Sequence, residues 1–225
     1  MNGEYIMGKR KKGYKKSSLK YKRKQLTVDS TPQVVDIDQS TIQYRVLIDK
    51  LENYIEEAIN GNAILFVGSG FSKGATNLKN EDLKSGVELA KYFCHRCNLD
   101  EDMNLNDIAE IFLETYGEDE IIEELKKEFT VKNISSSHSI ISEINWKRIY
   151  TTNYDNIIET SYAKQSKTIV SVTLNDNVYD VPKRIYLCIH LNGFVGRLDK
   201  NTLSKEFKLT NTSYLTSEFI NSKWI

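Results

Sequence analysis

The most restrictive feature of this 225-residue sequence is an unbroken apolar run that ends in a glycine-rich turn. The run is Ala63-Ile64-Leu65-Phe66-Val67, and Gly68-Ser69-Gly70 follows it directly. An apolar run of this length without polar alternation indicates a strand that is buried on both faces, as in a parallel sheet. We therefore expect the chain to fold around a parallel sheet that contains residues 63–67.

Predicted strands and helices alternate along the chain, which favours an α/β fold. Apolar residues recur every three or four positions through residues 41–60, so we predict an amphipathic helix that ends at Gly61. The other predicted helices cover residues 80–97 (capped by Asn80), 107–116 (capped by Asn106), 119–129, 135–144, 156–163 and 212–223, and the other predicted strands cover residues 148–152, 168–174 and 184–191. The predicted fold class is α/β: a Rossmann-like parallel sheet with helices on both faces and a helical insertion.

The net charge of zero hides two oppositely charged parts of the chain. Residues 1–30 contain ten Lys or Arg and two acidic residues, whereas the remaining residues contain twenty-one Lys or Arg and twenty-nine acidic residues. Because like charges dominate and apolar residues are scarce, we predict a disordered basic tail over residues 1–40 and a folded domain over residues 41–225. Tyrosines alternate with the lysines, so the tail either contacts nucleic acid or is a solvated tail or a strap on the acidic domain.

The sequence also indicates in which cellular compartment the protein is expected. No apolar run reaches the roughly 18 residues of a membrane span, and the basic start does not lead into the apolar segment of a signal peptide. The chain has three cysteines, an odd number that does not make a disulfide framework. We therefore expect a soluble protein of the reducing cytoplasm without membrane contact.

The first of three strand-end motifs is Gly68-Ser69-Gly70-Phe71-Ser72, here called the glycine loop. Ligands of α/β proteins bind beyond the carboxyl ends of the strands. Glycines permit positive φ angles and a close approach to a ligand, and the amides at the start of a following helix attract phosphate. The alternative is a tight turn without a ligand.

The second and third motifs each offer polar groups at a strand end. In Thr151-Thr152-Asn153-Tyr154-Asp155, the Asn153 amide can hydrogen-bond to ribose hydroxyls or to water, while Asp155 either faces a ligand or caps the next helix. In Ile189-His190-Leu191-Asn192-Gly193, His190 is either a general base near neutral pH or a hydrogen-bonded core residue.

Together and in this order, the three motifs resemble the sirtuin-like NAD-consuming domain of bacterial antiphage defence proteins. The similarity extends over about residues 63–214 and includes His138, Trp146 and Tyr214 beside the motifs. The resemblance implies that NAD is the substrate and that the nicotinamide–ribose bond is cleaved. Because the leaving group is already cationic, such a site mainly orients the sugar and stabilises an oxocarbenium-like state.

The resemblance also implies a role for each matched residue. The glycine loop would bind the NAD pyrophosphate and the ribose on the nicotinamide side. Asn153 would position the ribose or the attacking water, and Asp155 would face the nicotinamide amide. His190 would be the base or the partner of a ribose hydroxyl.

Cysteine spacing separates two branches of this family. Sirtuins that deacetylate proteins carry a zinc module with two Cys-x-x-Cys pairs. This sequence has the single pair Cys94-His95-Arg96-Cys97 on a predicted helix, and Cys188 stands alone in a predicted strand. The loop after Ser72 also lacks the Pro-Asp-Phe-Arg stretch of acyl-lysine sirtuins. The sequence therefore predicts an NAD glycohydrolase without zinc rather than a deacylase.

The family pattern continues beyond the region of Tyr214 to a further strand, whereas this sequence stops at Trp224-Ile225. A catalytically incomplete module that binds NAD or ADP-ribose, or less favourably a protein deacylase, is therefore the alternative function. A missing strand would leave an open sheet edge that invites pairing. We accordingly expect a homo-oligomer, or a partner or C-terminal sensor region.

Overall fold

The structure, a computed structural model, describes residues 39–181, 185–214 and 222–224. The predicted basic tail over residues 1–40 lies almost wholly outside the described residues, and so does most of the predicted helix over residues 212–223. The expected disorder of the tail and its contact with nucleic acid therefore stay predictions.

Helices and short strands alternate along the described residues, as the sequence predicts. The helices are α1 (Gln39–Ile59), α2 (Gly86–Cys97), α3 (Leu105–Phe129), α4 (Ser136–Ser139), α5 (Ile157–Lys164), α6 (Lys200–Lys205) and α7 (Asn211–Tyr214). The strands are β1 (Ile64–Val67), β2 (Thr76–Asn77), β3 (Val131–Asn133), β4 (Arg148–Thr151), β5 (Ile169–Thr173) and β6 (Tyr186–His190). None of the helices in this part of the chain combines the length and the apolar character that crossing a membrane requires.

Four strands form a parallel sheet in the order β1-β4-β6-β5, and β2 and β3 form a small antiparallel pair. Val67 at the end of β1 pairs with Thr151 of β4, and Thr151 pairs with His190 of β6. The carboxyl ends of these three strands therefore meet at one edge of the sheet. The predicted α/β class, a Rossmann-like parallel sheet flanked by helices, is confirmed.

Each face of the sheet has its own apolar cover. On one face, residues of β1, β4 and β6 pack against α5 in a cluster that includes Val67, Ile149, Cys188, Ile158 and Tyr162. On the other face, Trp224 packs in a cluster with Val172, Leu174, Leu187 and Ile189. The Trp224 carbonyl accepts a hydrogen bond of 2.8 Å from the Tyr150 hydroxyl, which fixes the end of the described chain on β4.

The prediction that β1 is buried on both faces is wrong. Within the described residues β1 pairs with β4 alone, so β1 is an edge strand. On the face that Trp224 covers in part, Ile64 is 53% exposed and Phe66 is 62% exposed. An apolar run shows which side chains favour burial, but it does not show whether a strand lies at the centre or at the edge of its sheet.

The helical insertion between β1 and β4 has a separate core between α2 and α3. The rings of Phe93 and Phe112 stack there with their centroids 4.4 Å apart. The predicted helices over residues 107–116 and 119–129 are joined in α3, which passes Gly117 with a φ of 84°. The non-helical backbone at Gly117 divides α3 into two helical parts, which correspond to the two predicted helices.

The helix caps differ from those predicted. Ser85, not Asn80, caps α2 through a capping box with Glu88, and Asn104, not Asn106, caps α3 by accepting a hydrogen bond from the Asp107 amide. Asn80 lies instead in a turn with a φ of 64°. Several Asn and Ser residues near each start are competent caps, and the tertiary course of the chain selects among them.

Candidate active site

The three strand-end motifs surround one cavity of about 260 Å³ at the carboxyl edge of the sheet. The glycine loop contributes Ser69 and Ser72 to the lining, the second motif contributes Asn153 and Asp155, and the third contributes Asn192. These residues lie far apart in sequence, and the strand order β1-β4-β6 brings them together. The structure therefore juxtaposes the motifs as the sequence predicts.

The glycine loop is a single 3₁₀ turn over Ser69–Ser72. Gly68 has a φ of −132°, so it does not use the positive φ that glycine permits. A Cβ atom at Gly70 would meet nothing within 4 Å, which leaves this side of the turn open to a ligand. The helix predicted over residues 80–97 begins later, because α2 starts at Gly86.

His138 holds the glycine loop from behind. Its Nε2 lies 2.7 Å from the Phe71 carbonyl oxygen, and its Nδ1 accepts a hydrogen bond of 3.1 Å from the Ser135 amide. The proton is therefore on Nε2, which donates to Phe71. The Phe71 ring packs edge-on against His138 with the centroids 5.0 Å apart, away from the cavity lining.

Asn153 presents an unused acceptor at the cavity. Its Nδ2 donates hydrogen bonds of 3.0 Å to the Gly68 carbonyl oxygen and of 3.0 Å to Ser72 Oγ. A carbonyl oxygen can only accept, so the amide orientation is fixed. Within the described residues no hydrogen bond reaches Asn153 Oδ1, so this oxygen is available to a ligand.

Asp155 joins the glycine loop to α5, so both interpretations of this residue have a structural basis. Its Oδ2 accepts a hydrogen bond of 2.7 Å from the Ser72 hydroxyl, and its Oδ1 accepts one of 3.1 Å from the Ile157 amide at the start of α5. Burial raises the pKa of Asp155 above its ordinary value, and these two hydrogen bonds offset that rise only in part. A carboxyl group that keeps its proton more readily than usual therefore borders the cavity.

His190 lies behind the cavity and not in its lining. The side chain is fully buried, and its ring packs against Phe194 with the centroids 4.3 Å apart. Nδ1 lies 3.2 Å from the main-chain carbonyl oxygen of Asn153, and Nε2 lies 2.9 Å from Glu159 Oε1. The structure thus places His190 beside the main chain of Asn153 but without direct access to a ligand in the cavity.

Glu159 is a residue that the sequence analysis missed. Burial raises the pKa of its carboxyl, but hydrogen bonds from His190 and Ser171 and the charge on His190 outweigh burial, so the pKa lies below its ordinary value. The sequence signal for Glu159 was its distance from Asp155. An acid four residues after Asp155, on a predicted helix, faces the same strand ends as Asp155.

Glu159, Cys188 and His190 place three potential metal-ligand atoms within 4.8 Å of one another. The Cys188 Sγ lies 3.5 Å from His190 Nε2, and burial holds the pKa of this thiol well above its ordinary value. A protonated thiol is a poor ligand, and the Glu159 carboxylate already pairs with His190. Of the two Glu159 oxygens, Oε1 lies 2.9 Å from His190 Nε2, and Oε2 has no hydrogen-bond partner among the described residues.

Asn192 and Gly193 shape the third side of the site. Asn192 lines the cavity and its Nδ2 donates a hydrogen bond of 3.0 Å to the Thr152 carbonyl oxygen. Gly193 has a φ of 103°, and a Cβ atom there would come within 2.8 Å of Phe207. Glycine is therefore required at this position by both conformation and space.

Lys84 and Tyr214 also line the cavity, and neither is assigned a role by the motifs. The Lys84 ammonium lies 2.7 Å from Glu128 Oε2, so its charge is neutralised locally. The cysteine pair of the sequence lies elsewhere: Cys94 is buried on α2, Cys97 is half-buried there, and both are free thiols.

A known protein family matches the part of the chain that contains the second and third motifs. Residues 147–225 match the SIR2-like domain. This part of the chain is similar to SIR2-like domains. The matched residues include Asn153, Asp155 and His190, whereas the glycine loop lies before the matched range.

A curated relative is the NAD(+) hydrolase ThsA of Cytobacillus dafuensis, which is 22% identical to this chain over 160 residues. The match covers 69% of this chain and 31% of the relative. The chain thus spans about a third of the length of the curated relative that it matches. The resemblance to sirtuin-like domains that the three motifs predict is confirmed.

Proposed function

We propose that the protein is an NAD hydrolase that cleaves the nicotinamide–ribose bond. The observation that carries the proposal is the Asn153 amide, fixed by two donated hydrogen bonds with Oδ1 free at a cavity that all three motifs border. The similarity to an NAD(+) hydrolase supports the same activity. A fixed acceptor can orient a ribose hydroxyl or an attacking water before the bond breaks.

Each residue around the cavity has a proposed task. The open side of the glycine loop at Gly70 receives the phosphates and the adjoining ribose. Asp155, with its raised pKa, hydrogen-bonds to the nicotinamide amide. Because the cavity is slightly smaller than the roughly 300 to 1,000 Å³ of common small-molecule sites, it accommodates the nicotinamide riboside half of NAD and leaves the adenosine half outside.

The proposed task of His190 is indirect. Its ring is sealed from the cavity, so it holds the main chain of Asn153 rather than touching the sugar. The expectation that His190 is the base itself stays a prediction. An Asn153→Ala variant removes the free acceptor, whereas a His190→Ala variant removes the support beneath it, and we expect both to abolish cleavage.

Release of nicotinamide from NAD by the purified chain, measured by chromatography, tests the proposal. We expect turnover in the wild-type protein and a loss of about 10²-fold or more in Asn153→Ala. Asn175→Ala is the matched control, because Asn175 is exposed and bonds only to the Lys205 carbonyl oxygen among the described residues. Wild-type turnover in Asn153→Ala would remove this residue from the mechanism.

We further propose that the activity serves antiphage defence, because depletion of NAD stops a cell from producing phage. Bacteria that express the chain should lose NAD and release fewer phage after infection. Cells that express Asn153→Ala should retain NAD and release phage at the level of cells without the gene. Equal protection by the two proteins would separate defence from NAD cleavage.

A binding module without turnover is the second candidate function, and the sealed position of His190 favours it. Such a module would bind NAD or ADP-ribose in calorimetry, lose that binding in Asn153→Ala, and release no nicotinamide. Binding accompanied by nicotinamide release decides for the hydrolase.

A further inference from the structure

Glu159 connects three elements beneath the candidate active site. It lies in the first turn of α5, and its carboxylate accepts hydrogen bonds from His190 of β6, at 2.9 Å, and from Ser171 of β5. Both bonds converge on Oε1, whereas the buried Oε2 has no hydrogen-bond partner in the part of the chain that the structure describes. The hydrogen bond between α5 and His190 therefore depends on a single oxygen, Glu159 Oε1.

Each ring nitrogen of His190 faces an oxygen acceptor. Nδ1 lies 3.2 Å from the main-chain carbonyl oxygen of Asn153, which can only accept. Nε2 lies 2.9 Å from Oε1 of the Glu159 carboxylate. His190 is thus clamped between the mostly buried side chain of Glu159 and the main chain at Asn153.

The clamp on His190 holds the residue that carries the free acceptor of the cavity, Asn153 Oδ1. The Asn153 carbonyl is held by His190, its amide nitrogen donates to Thr151 Oγ1 at 3.0 Å, and its side chain donates to Gly68 and Ser72. With all of these groups engaged, the position of Oδ1 follows from the position of the main chain. A shift of His190 would therefore move the acceptor.

We propose that Glu159 is a positioning residue for the NAD cleavage proposed above: it holds the His190 imidazolium, and the imidazolium holds Asn153 at the distance the ribose requires. The inference rests on the proposed function. Stability alone is a poor explanation for the pair, because well-packed apolar residues usually stabilise a core as well as a buried ion pair does.

Glu159→Gln is the direct test, since it keeps the size of the side chain and removes its charge. We expect kcat for nicotinamide release to fall by about 10²-fold, the usual cost of misplacing a reacting group by about 1 Å, while KM changes far less. Glu124→Gln is the matched control: Glu124 is also buried and bonded, by the Tyr92 hydroxyl at 2.6 Å, but it lies on α3. Unchanged kcat in Glu159→Gln overturns the proposal.

A second measurement does not depend on activity. The chain has three histidines, so the ¹⁵N ring signals of His190 can be assigned by their loss in a His190→Asn variant. We expect both ring nitrogens of His190 to be protonated at neutral pH in the wild-type protein and one of them to lose its proton in Glu159→Gln. The rest of the spectrum shows whether each variant is folded.

The two measurements separate the possible failures. The positioning role of Glu159 is contradicted if the His190 ring carries one proton in the wild-type protein and its signals do not change in Glu159→Gln. It is also contradicted if the wild-type protein binds a stoichiometric metal ion that is lost in His190→Asn. If the His190 ring carries two protons in the wild-type protein and loses one in Glu159→Gln, but the wild-type protein releases no nicotinamide, the contact between Glu159 and His190 is supported and the proposed hydrolase function fails.

Discussion

Asp155 and Glu159 lie one helical turn apart, yet their surroundings shift their pKa values in opposite directions. Burial dominates at Asp155, and two neutral hydrogen bonds offset it only in part. At Glu159 the hydrogen bonds from His190 and Ser171, together with the charge on His190, outweigh burial. The site therefore pairs an acid that holds its proton with an acid that releases it, an arrangement common in active sites.

Asp155→Asn should make the protein more stable and less active. Because the folded-state pKa of Asp155 is raised, the unfolded chain releases this proton first as the pH rises, and the contribution of Asp155 to stability is lost between the two pKa values. The melting temperature of Asp155→Asn should therefore exceed that of the wild type at neutral pH, with the difference shrinking in acid, while nicotinamide release falls.

Thermal melting as a function of pH checks this expectation, and Asp100→Asn on an exposed turn is the control. A melting temperature that drops at neutral pH in Asp155→Asn would show that the hydrogen bonds to Ser72 and Ile157 matter more than the buried charge.

The elements show which parts of the fold the sequence could predict. Strands that follow from apolar runs, and the polar motifs after them, were located to within a few residues, because periodicity and turn chemistry are local properties. The edge position of β1 was not predictable, since it depends on which strand pairs with β4. The sequence left two interpretations of His190 open for the same reason: the partner of its Nε2, Glu159, lies on α5, and the strand sequence alone does not show that contact.

Ser85→Ala should destabilise the protein by about 1 kcal/mol, since it removes one half of the capping box of α2. Asn80→Gly should change stability little, because glycine adopts the φ of 64° found at Asn80 without strain. Chemical denaturation of both variants measures the two effects. Equal losses would indicate that the predicted cap at Asn80 also matters.

At the scale of the whole molecule, α1 carries an apolar surface that the described residues leave open. Tyr44, Leu47, Leu51, Tyr54 and Ile55 recur along one side of the helix and are each at least half exposed. An apolar groove of about 590 Å³ lies between the end of α1 and the start of β1. A contiguous apolar patch on a protein surface is a common mark of an interface.

We expect a second copy of the chain to cover this surface, because each copy presents the same apolar helix and two copies can satisfy each other about a twofold axis. By mass action, association of the free chain should rise with concentration. Light scattering should show a mass that increases with concentration in the wild type and in Glu52→Lys, but not in Leu51→Lys. A monodisperse monomer at every concentration contradicts the expectation.

The strand order has a consequence for the chain as it leaves the ribosome. Among the described residues β6 is the last strand in sequence, but it lies between β4 and β5. During synthesis β1 and β4 can pair early, whereas β5 has no neighbour until residues 186–190 emerge and insert, a non-local step of the kind that is slow in folding. Asn192 follows β6 directly and lines the cavity. A nascent or clipped chain that ends before β6 therefore lacks the side of the candidate site that the third motif supplies.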